Sequence, residues 1–184
     1  MKTSPGLPLV LIRHVSEFDL ALSSKINKAC HYNFIRHFFR IISRLGDGVF
    51  WYVLMLVLPI YYGSHGLLVS GHMLLSAGVA LLIYKIIKSN TSRLRPFEYD
   101  TGIMQGTIAL DKYSFPSGHT LQAVCFSIVA MSHFPHFAAI LVPFTILIAA
   151  SRVVLGLHYP TDVLAGAFIG GFIAYSSMLV STFI

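Results

Sequence analysis

The chain has 184 residues, of which 55% are hydrophobic and 11% are charged. Because soluble globular domains carry about 25% charged residues, this composition excludes an ordinary water-soluble domain and favours a chain surrounded by lipid. The formal net charge of +6 favours anionic partners. For an apolar chain these partners are expected in or at a membrane rather than among nucleic acids.

The first predicted element is an amphipathic helix. Its apolar stripe contains Phe34, Phe38, Ile41 and Leu45, and its opposite side contains Arg36, Arg40 and Arg44. This pattern is typical of a helix that lies in the headgroup region, although a helix packed on the outside of a bundle would share it. The pattern then breaks at Gly46, Asp47 and Gly48. We therefore divide the chain into an N-terminal interfacial segment, residues 1–47, and a membrane domain, residues 48–184.

Five apolar runs follow this segment. A helix needs about 20 apolar residues to cross a bilayer, and about 17 are tolerated. Residues 67–87 and 163–184 meet this length, whereas three shorter runs meet it only with their flanks: 49–62, 120–134 and 137–150. The sequence therefore predicts an all-α integral membrane bundle with five transmembrane helices. A sixth would be added if residues 15–44 also crossed.

Three clusters of polar residues stand at the ends of the apolar runs. They are Lys88, Arg95 and Pro96; Pro116, Ser117, Gly118 and His119; and Ser151, Arg152, His158 and Asp162. The loop between the first two clusters does not cross the membrane. The chain between the second and third is long enough for one helix across and one helix back. The connectivity therefore places all three clusters at one membrane face.

The basic residues of these clusters predict a phosphate site. Lys88, Arg95 and Arg152 would be costly to bury together without an anion. Arginine forks match phosphate oxygens in pairs, and lysine adds a compact charge. Ser117 and Gly118 open a helix whose first backbone N–H groups can face an anion.

Two histidines and an aspartate add reactive groups. Asp162 lies near enough to His158 to fix its tautomer and leave its other ring nitrogen as a nucleophile. His119 can then protonate the leaving oxygen. Each residue alone has an ordinary structural interpretation, such as a snorkelling lysine at Lys88. Their coincidence at three span ends disfavours that interpretation.

The clusters resemble the three-part signature of the type 2 phosphatidic acid phosphatase (PAP2) superfamily, which also includes vanadium haloperoxidases. That signature reads K-x6-RP, PSGH and SR-x5-H-x3-D. Every fixed position is matched, and the resemblance covers about residues 48–184. It implies a phosphohistidine at His158 supported by Asp162, and protonation of the leaving group by His119. It further implies a phosphate held by Lys88, Arg95, Ser117, Gly118 and Arg152, with no metal or other cofactor.

The resemblance implies a metal-independent lipid phosphatase of the membrane, with a phosphorylated lipid and the bilayer as its partners. Undecaprenyl diphosphate, phosphatidylglycerophosphate and phosphatidate are the candidate substrates. Alternatives are a lipid A phosphatase or a lipid phosphotransferase with the same site. A vanadium haloperoxidase is disfavoured because those relatives are soluble. A non-enzymatic phosphate-binding membrane protein is disfavoured by the intact nucleophile and acid.

The expected location is the cell (inner) membrane, with many passes through it. The positive-inside rule would place the catalytic end in the cytoplasm, because the lysines and arginines gather there. The resemblance favours the periplasmic or outer face instead.

Among the other histidines only His72, which lies inside a span, is expected to be a functional candidate. Asp111 is expected in a solvated loop.

Overall fold

The computed structural model describes residues 7–181, and the side chains within residues 14–180. The helices are α1 (Leu7–Asn27), α2 (Asn33–Arg44), α3 (Phe50–Ser89), α4 (Pro96–Tyr99), α5 (Gly118–His133), α6 (Ala138–Val154) and α7 (Pro160–Ser181). Short turns of 3-10 helix at Lys28–His31 and Pro135–Phe137 and of π-helix at Leu45–Val49 connect some of them. Residues 7–181 contain no strand, so the predicted all-α class is confirmed.

The helix α3 reverses direction at Gly63. The backbone there has φ 58° and ψ −135°, a region that glycine reaches most easily. Residues 50–62 and 64–89 consequently lie side by side. A Cβ atom at Gly66 would stand 2.1 Å from the carbonyl oxygen of Leu58. The two halves of α3 therefore form a helical hairpin, and both of its outer ends reach the same end of the bundle.

The backbones of α5 and α7 touch. A Cβ atom at Gly166 would lie 2.5 Å from the carbonyl oxygen of Ser117, and one at Gly170 would lie 2.2 Å from that of Leu121. This approach lets the Ser117 N–H donate to the Asp162 carbonyl over 3.0 Å. The second and third sequence clusters are therefore held together by main-chain contact.

The core and the outer surface are both apolar. The interior is filled by large side chains, among which the Trp51 ring stacks on Phe126 with their centroids 5.1 Å apart. Large apolar side chains are also exposed around the bundle, on α3 and α7: Leu56, Leu68, Leu75, Leu82, Leu164 and Phe168. Such a surface suits lipid rather than water.

Three helical stretches of the described chain are long and apolar enough to cross a membrane: Asn33–Ser89, which contains the α3 reversal, Pro135–Val154 and Pro160–Val180. The last predicted span extends to residue 184, so its final residues lie outside the described part. The helix α5 has 16 residues, or about 24 Å, and is shorter than a usual span. The predicted number of five or six spans therefore stays a prediction.

The helix α2 packs on the bundle through one face and leaves another apolar face exposed. Phe34 and Phe38 are exposed, whereas Ile35 and Phe39 pack against the neighbouring cores. Its arginines bind the long loop, since the Arg40 guanidinium donates to the Gly106 carbonyl. The interfacial position of this helix and the division at residue 47 stay predictions.

Candidate active site

The residues of the three sequence clusters meet at one end of the bundle. Lys88 lies in the last turn of α3 and Arg95 directly before α4. Ser117, Gly118 and His119 lie at the start of α5. Arg152 lies in the last turn of α6, His158 between α6 and α7, and Asp162 in the first turn of α7. The α3 reversal and the turn after α5 lie at the opposite end. The structure thus brings the predicted site residues together in the way that the connectivity indicates.

His158 lies in the connection between α6 and α7 and is only 2% exposed. Its Nε2 atom is 3.4 Å from an Arg95 guanidinium nitrogen. Its Nδ1 atom is 3.8 Å from Asp162 Oδ2, which is beyond hydrogen-bond distance. One ring nitrogen therefore faces the cations and the other faces a carboxylate.

Burial lowers the pKa of His158 well below its usual value, and the nearby positive charges of Arg152, Arg95 and Lys88, with His119, lower it further. A lowered pKa keeps the imidazole neutral at physiological pH. The ring therefore retains the lone pair that a nucleophile needs.

Asp162 is fully buried and uses both carboxylate oxygens. Its Oδ1 atom forms an ion pair of 2.6 Å with Arg93. Its Oδ2 atom accepts the Tyr159 N–H over 2.8 Å and is the atom that faces His158. The second of these bonds resembles a helix cap and fixes the carboxylate to the first turn of α7.

The cations Lys88 and Arg95 pair with a carboxylate from the long loop. Asp111 Oδ1 lies 2.7 Å from Lys88 Nζ and 2.5 Å from an Arg95 nitrogen. The Tyr84 hydroxyl also donates to Asp111. Burial alone raises the pKa of Asp111, but the hydrogen bonds and charges of Lys88, Tyr84 and Arg95 lower it below its ordinary value. Asp111 is still 36% exposed, as expected for a residue of the loop, but it also supplies a counter-charge to two largely buried cations, which the sequence did not indicate.

Arg152 is buried to the same degree as Arg95, and each is 2% exposed. One terminal nitrogen donates to the Ser43 hydroxyl over 2.5 Å. Among the described residues, its Nε–H group has no hydrogen-bond partner. A buried guanidinium with an unused donor is well suited to an anionic ligand.

His119 contacts a carboxylate that the sequence did not single out. Its Nε2 atom pairs with Asp47, which lies in the π-helical turn between α2 and α3. The sequence showed Asp47 only as part of a glycine-flanked break. Beside this pair is a cavity of about 260 Å³, bounded by apolar side chains of α3 and α5 that include Leu81 and Leu121. The proton donor proposed from the sequence therefore lies between a carboxylate and an apolar cavity.

Ser117 and His72 both form hydrogen bonds within the protein, and their predicted roles stay predictions. The Ser117 hydroxyl bonds to Thr120 over 3.0 Å, and its N–H is taken by Asp162, so it joins α5 to α7. His72 lies near the far end, 3.3 Å from His133 and 3.0 Å from Ser177. Within residues 14–180 no group of three or more histidine, cysteine or acidic side chains could hold a metal ion.

Residues 69–183 match the PAP2 superfamily. The chain belongs to this superfamily. It is 26% identical over 146 residues to the undecaprenyl-diphosphatase of Sulfolobus acidocaldarius, covering 77% of this chain and 68% of that relative. It spans about half the length of other curated relatives.

Two solved PAP2 structures share the fold. One is the first transmembrane PAP2 type phosphatidylglycerolphosphate phosphatase from Bacillus subtilis, with a TM-score of 0.69, 26% identity and coverage of 89% of this chain and 86% of that one. The other is Aquifex aeolicus LpxE, with a TM-score of 0.75, 28% identity and coverage of 86% and 93%. The predicted family, membrane fold and class of enzyme, a lipid phosphatase, are confirmed. The roles of single residues stay predictions.

Proposed function

We propose that the protein hydrolyses a phosphate monoester or diphosphate of a membrane lipid through a phosphohistidine at His158. The observation that supports this most strongly is the buried His158 imidazole, whose Nε2 atom lies 3.4 Å from Arg95 and whose pKa is lowered by burial and by the charges of Arg152, Arg95 and Lys88. Cations in a buried setting favour an anionic ligand, and a neutral histidine among them favours attack on that ligand.

The substrate phosphate binds where the Asp111 carboxylate now pairs with Lys88 and Arg95. Its oxygens replace that carboxylate and also accept the unused Nε–H of Arg152. The free N–H groups at the start of α5, beyond Gly118, add donors that need no side chain. These contacts stabilise the negative charge that the transferring phosphoryl group spreads over its three equatorial oxygens in the transition state.

In the first step the His158 Nε2 lone pair forms a bond to phosphorus while the bond to the lipid oxygen breaks. The imidazole ring becomes positively charged and donates its Nδ1 proton to Asp162 as a hydrogen bond. This requires the 3.8 Å separation to shorten by about 1 Å, as catalytic contacts often do when substrate binds.

His119 gives a proton to the departing lipid oxygen in the same step, with its ring held by Asp47. In the second step a water molecule attacks the phosphohistidine, and His119 takes a proton from that water. The bond between phosphorus and Nε2 breaks, its electron pair returns to His158, and inorganic phosphate leaves. The proton donor of one step is thereby the base of the next.

The test is a phosphate-release assay on the purified full chain in detergent. The panel contains undecaprenyl diphosphate, phosphatidylglycerophosphate, phosphatidate and lipid A 1-phosphate. We expect release from at least one of these lipids, with unchanged rates in EDTA, because the steps above use only side chains and water. Release from none of them, or loss of activity in EDTA, would contradict the proposal.

We further propose that the protein lies in the inner membrane with this site at its outer face. The positive charges at the catalytic end are poor guides to orientation, because many of them already pair within the protein, as Arg40 does with the long loop and Arg93 with Asp162. Fewer unpaired positive charges therefore remain to set the orientation of the protein in the membrane.

Cysteine labelling tests the orientation. We expect Ser89→Cys, at the exposed end of α3, to react with a membrane-impermeant thiol reagent in intact cells. Ser64→Cys at the α3 reversal is the matched control and should react only after permeabilisation. The native Cys30 and Cys125 are both buried and give little background. The opposite pattern would place the site in the cytoplasm.

A further inference from the structure

Asp19 of α1 lies at the active site although it belongs to none of the three sequence clusters. Its side chain is fully buried. Its Oδ1 atom accepts the Thr161 N–H over 3.1 Å, and its Oδ2 atom accepts the Thr161 hydroxyl. Oδ2 also pairs with Arg93 at 2.6 Å. Burying a carboxylate is costly unless it is paired in this way, so Asp19 ties α1 to the first turn of α7.

Arg93 connects Asp19 to Asp162. One terminal nitrogen pairs with Asp19 and the other with Asp162 Oδ1, each at 2.6 Å. The second nitrogen also donates to the Thr161 hydroxyl over 2.8 Å. The guanidinium plane lies over the Tyr159 ring, 4.0 Å from its centroid. Only a planar fork can make both carboxylate contacts and stack at the same time, so lysine is not an equivalent residue here.

The ion pairs that run from Asp19 through Arg93 to Asp162 determine which carboxylate oxygen of Asp162 faces His158. Because Arg93 holds Oδ1, the other oxygen is directed to the Tyr159 N–H and to His158 Nδ1. A rotation of the carboxylate would break the bond to Arg93. The orientation of Asp162 therefore depends on a residue between Lys88 and Arg95 and, through it, on α1.

The net charge of Asp19, Arg93 and Asp162 also favours the first step of the reaction. One guanidinium, that of Arg93, pairs with the two carboxylates of Asp19 and Asp162, so the ionised trio has an excess negative charge. That negative charge complements the positive imidazole formed when Nε2 receives the phosphoryl group. Without Asp19, Arg93 would neutralise Asp162 alone. The charges of Arg152, Arg95, Lys88 and His119 also act on His158, and each of them disfavours a positive ring.

We propose that Asp19 and Arg93 are positioning residues that hold Asp162 ready for the phosphohistidine step, which makes α1 a working part of the active site. The inference rests on the proposed function of His158. It extends the site to a helix outside residues 69–183, the part of the chain that matches the superfamily.

The test uses Asp19→Asn and Arg93→Gln in the purified full chain, with the best lipid substrate of the panel. Both changes keep most of the shape and remove one charge. We expect kcat to fall about 10–100-fold, the range found when the hydrogen-bond partner of a metal-ligating side chain is removed, because such partners orient a functional group in the same way. KM should change by less than about twofold, because neither residue contacts the phosphate-binding cations and distant sites couple weakly.

Asp111→Asn is the matched control, because it removes the same charge from the phosphate side of the site. Its main effect should be on KM, whereas the main effect of Asp19→Asn should be on kcat. In the Arg93→Gln background, Asp19→Asn should lower kcat by no more than about a further twofold, because Asp19 acts through Arg93. Thermal unfolding and gel filtration identify variants that have lost their fold.

A kcat for Asp19→Asn within about twofold of the wild type overturns the inference. It is also overturned if the fold-loss of kcat in the double variant equals the product of the losses in the two single variants. If Asp19→Asn fails to fold, the KM and kcat of Arg93→Gln decide the question in the same way. His158→Ala in the same assay separates the two proposals. Activity in that variant would contradict the proposed function, whereas an inactive His158→Ala beside a fully active Asp19→Asn would contradict only this inference.

Discussion

His158→Ala is expected to abolish phosphate release from every lipid that the wild type hydrolyses. Removing an active-site nucleophile lowers kcat by about 10⁴-fold or more, because the remaining groups can still bind the substrate but cannot form the intermediate. The buried pocket around His158 should tolerate the smaller side chain, since the connection that holds it is fixed by main-chain bonds to Arg152. Activity is measured as phosphate release, and folding as thermal unfolding.

A far-end histidine provides the control for this variant. His136 is exposed and bonds to Tyr62 at the opposite end of the bundle. His136→Ala should therefore retain wild-type kcat and KM. A second measurement uses substrate with a labelled phosphate, quenched in alkali so that a phosphohistidine survives. Label should remain on the wild-type protein and be absent from His158→Ala. Full activity or full labelling of His158→Ala would contradict the mechanism.

The meeting of the three clusters could be predicted from the sequence, because apolar runs fix the direction of the chain at each crossing. Lys88 at one span end and His119 at the next share a face for this reason alone. The close contact of α5 with α7 is less visible from the sequence. It depends on Gly166 and Gly170, whose meaning appears only when the carbonyl groups of the facing helix are located.

Apart from Asp162, the carboxylates around the site could not be predicted by the same reasoning. Asp111 lies in a loop without periodicity, and the Asp19 bond to Thr161 spans 142 residues of sequence. One signal was nevertheless present. The whole chain has seven acidic residues, and four of them, namely Asp19, Asp47, Asp111 and Asp162, lie at this site. In a basic apolar chain, a scarce acidic residue is expected to neutralise a buried cation.

His119→Gln is expected to lower kcat on lipid substrates by about 10²–10⁴-fold, the usual contribution of a general acid. Glutamine fills a similar space and can still hydrogen-bond to Asp47, but it cannot give up a proton. The loss in the first step should depend on the leaving group. A lipid alkoxide is a strong base and needs the proton, whereas p-nitrophenolate is a weak base and leaves without it.

p-Nitrophenyl phosphate therefore separates the two steps in His119→Gln. The first step should remain fast and release about one p-nitrophenolate per enzyme in a burst, because phosphorylation of His158 needs no acid with this leaving group. The second step should be slow, because water must attack the phosphohistidine without a base, so phosphorylated protein should accumulate. The wild type in the same detergent gives the reference rates of both steps. An equal loss with both substrates and no burst would mean that His119 binds the phosphate and does not transfer the proton.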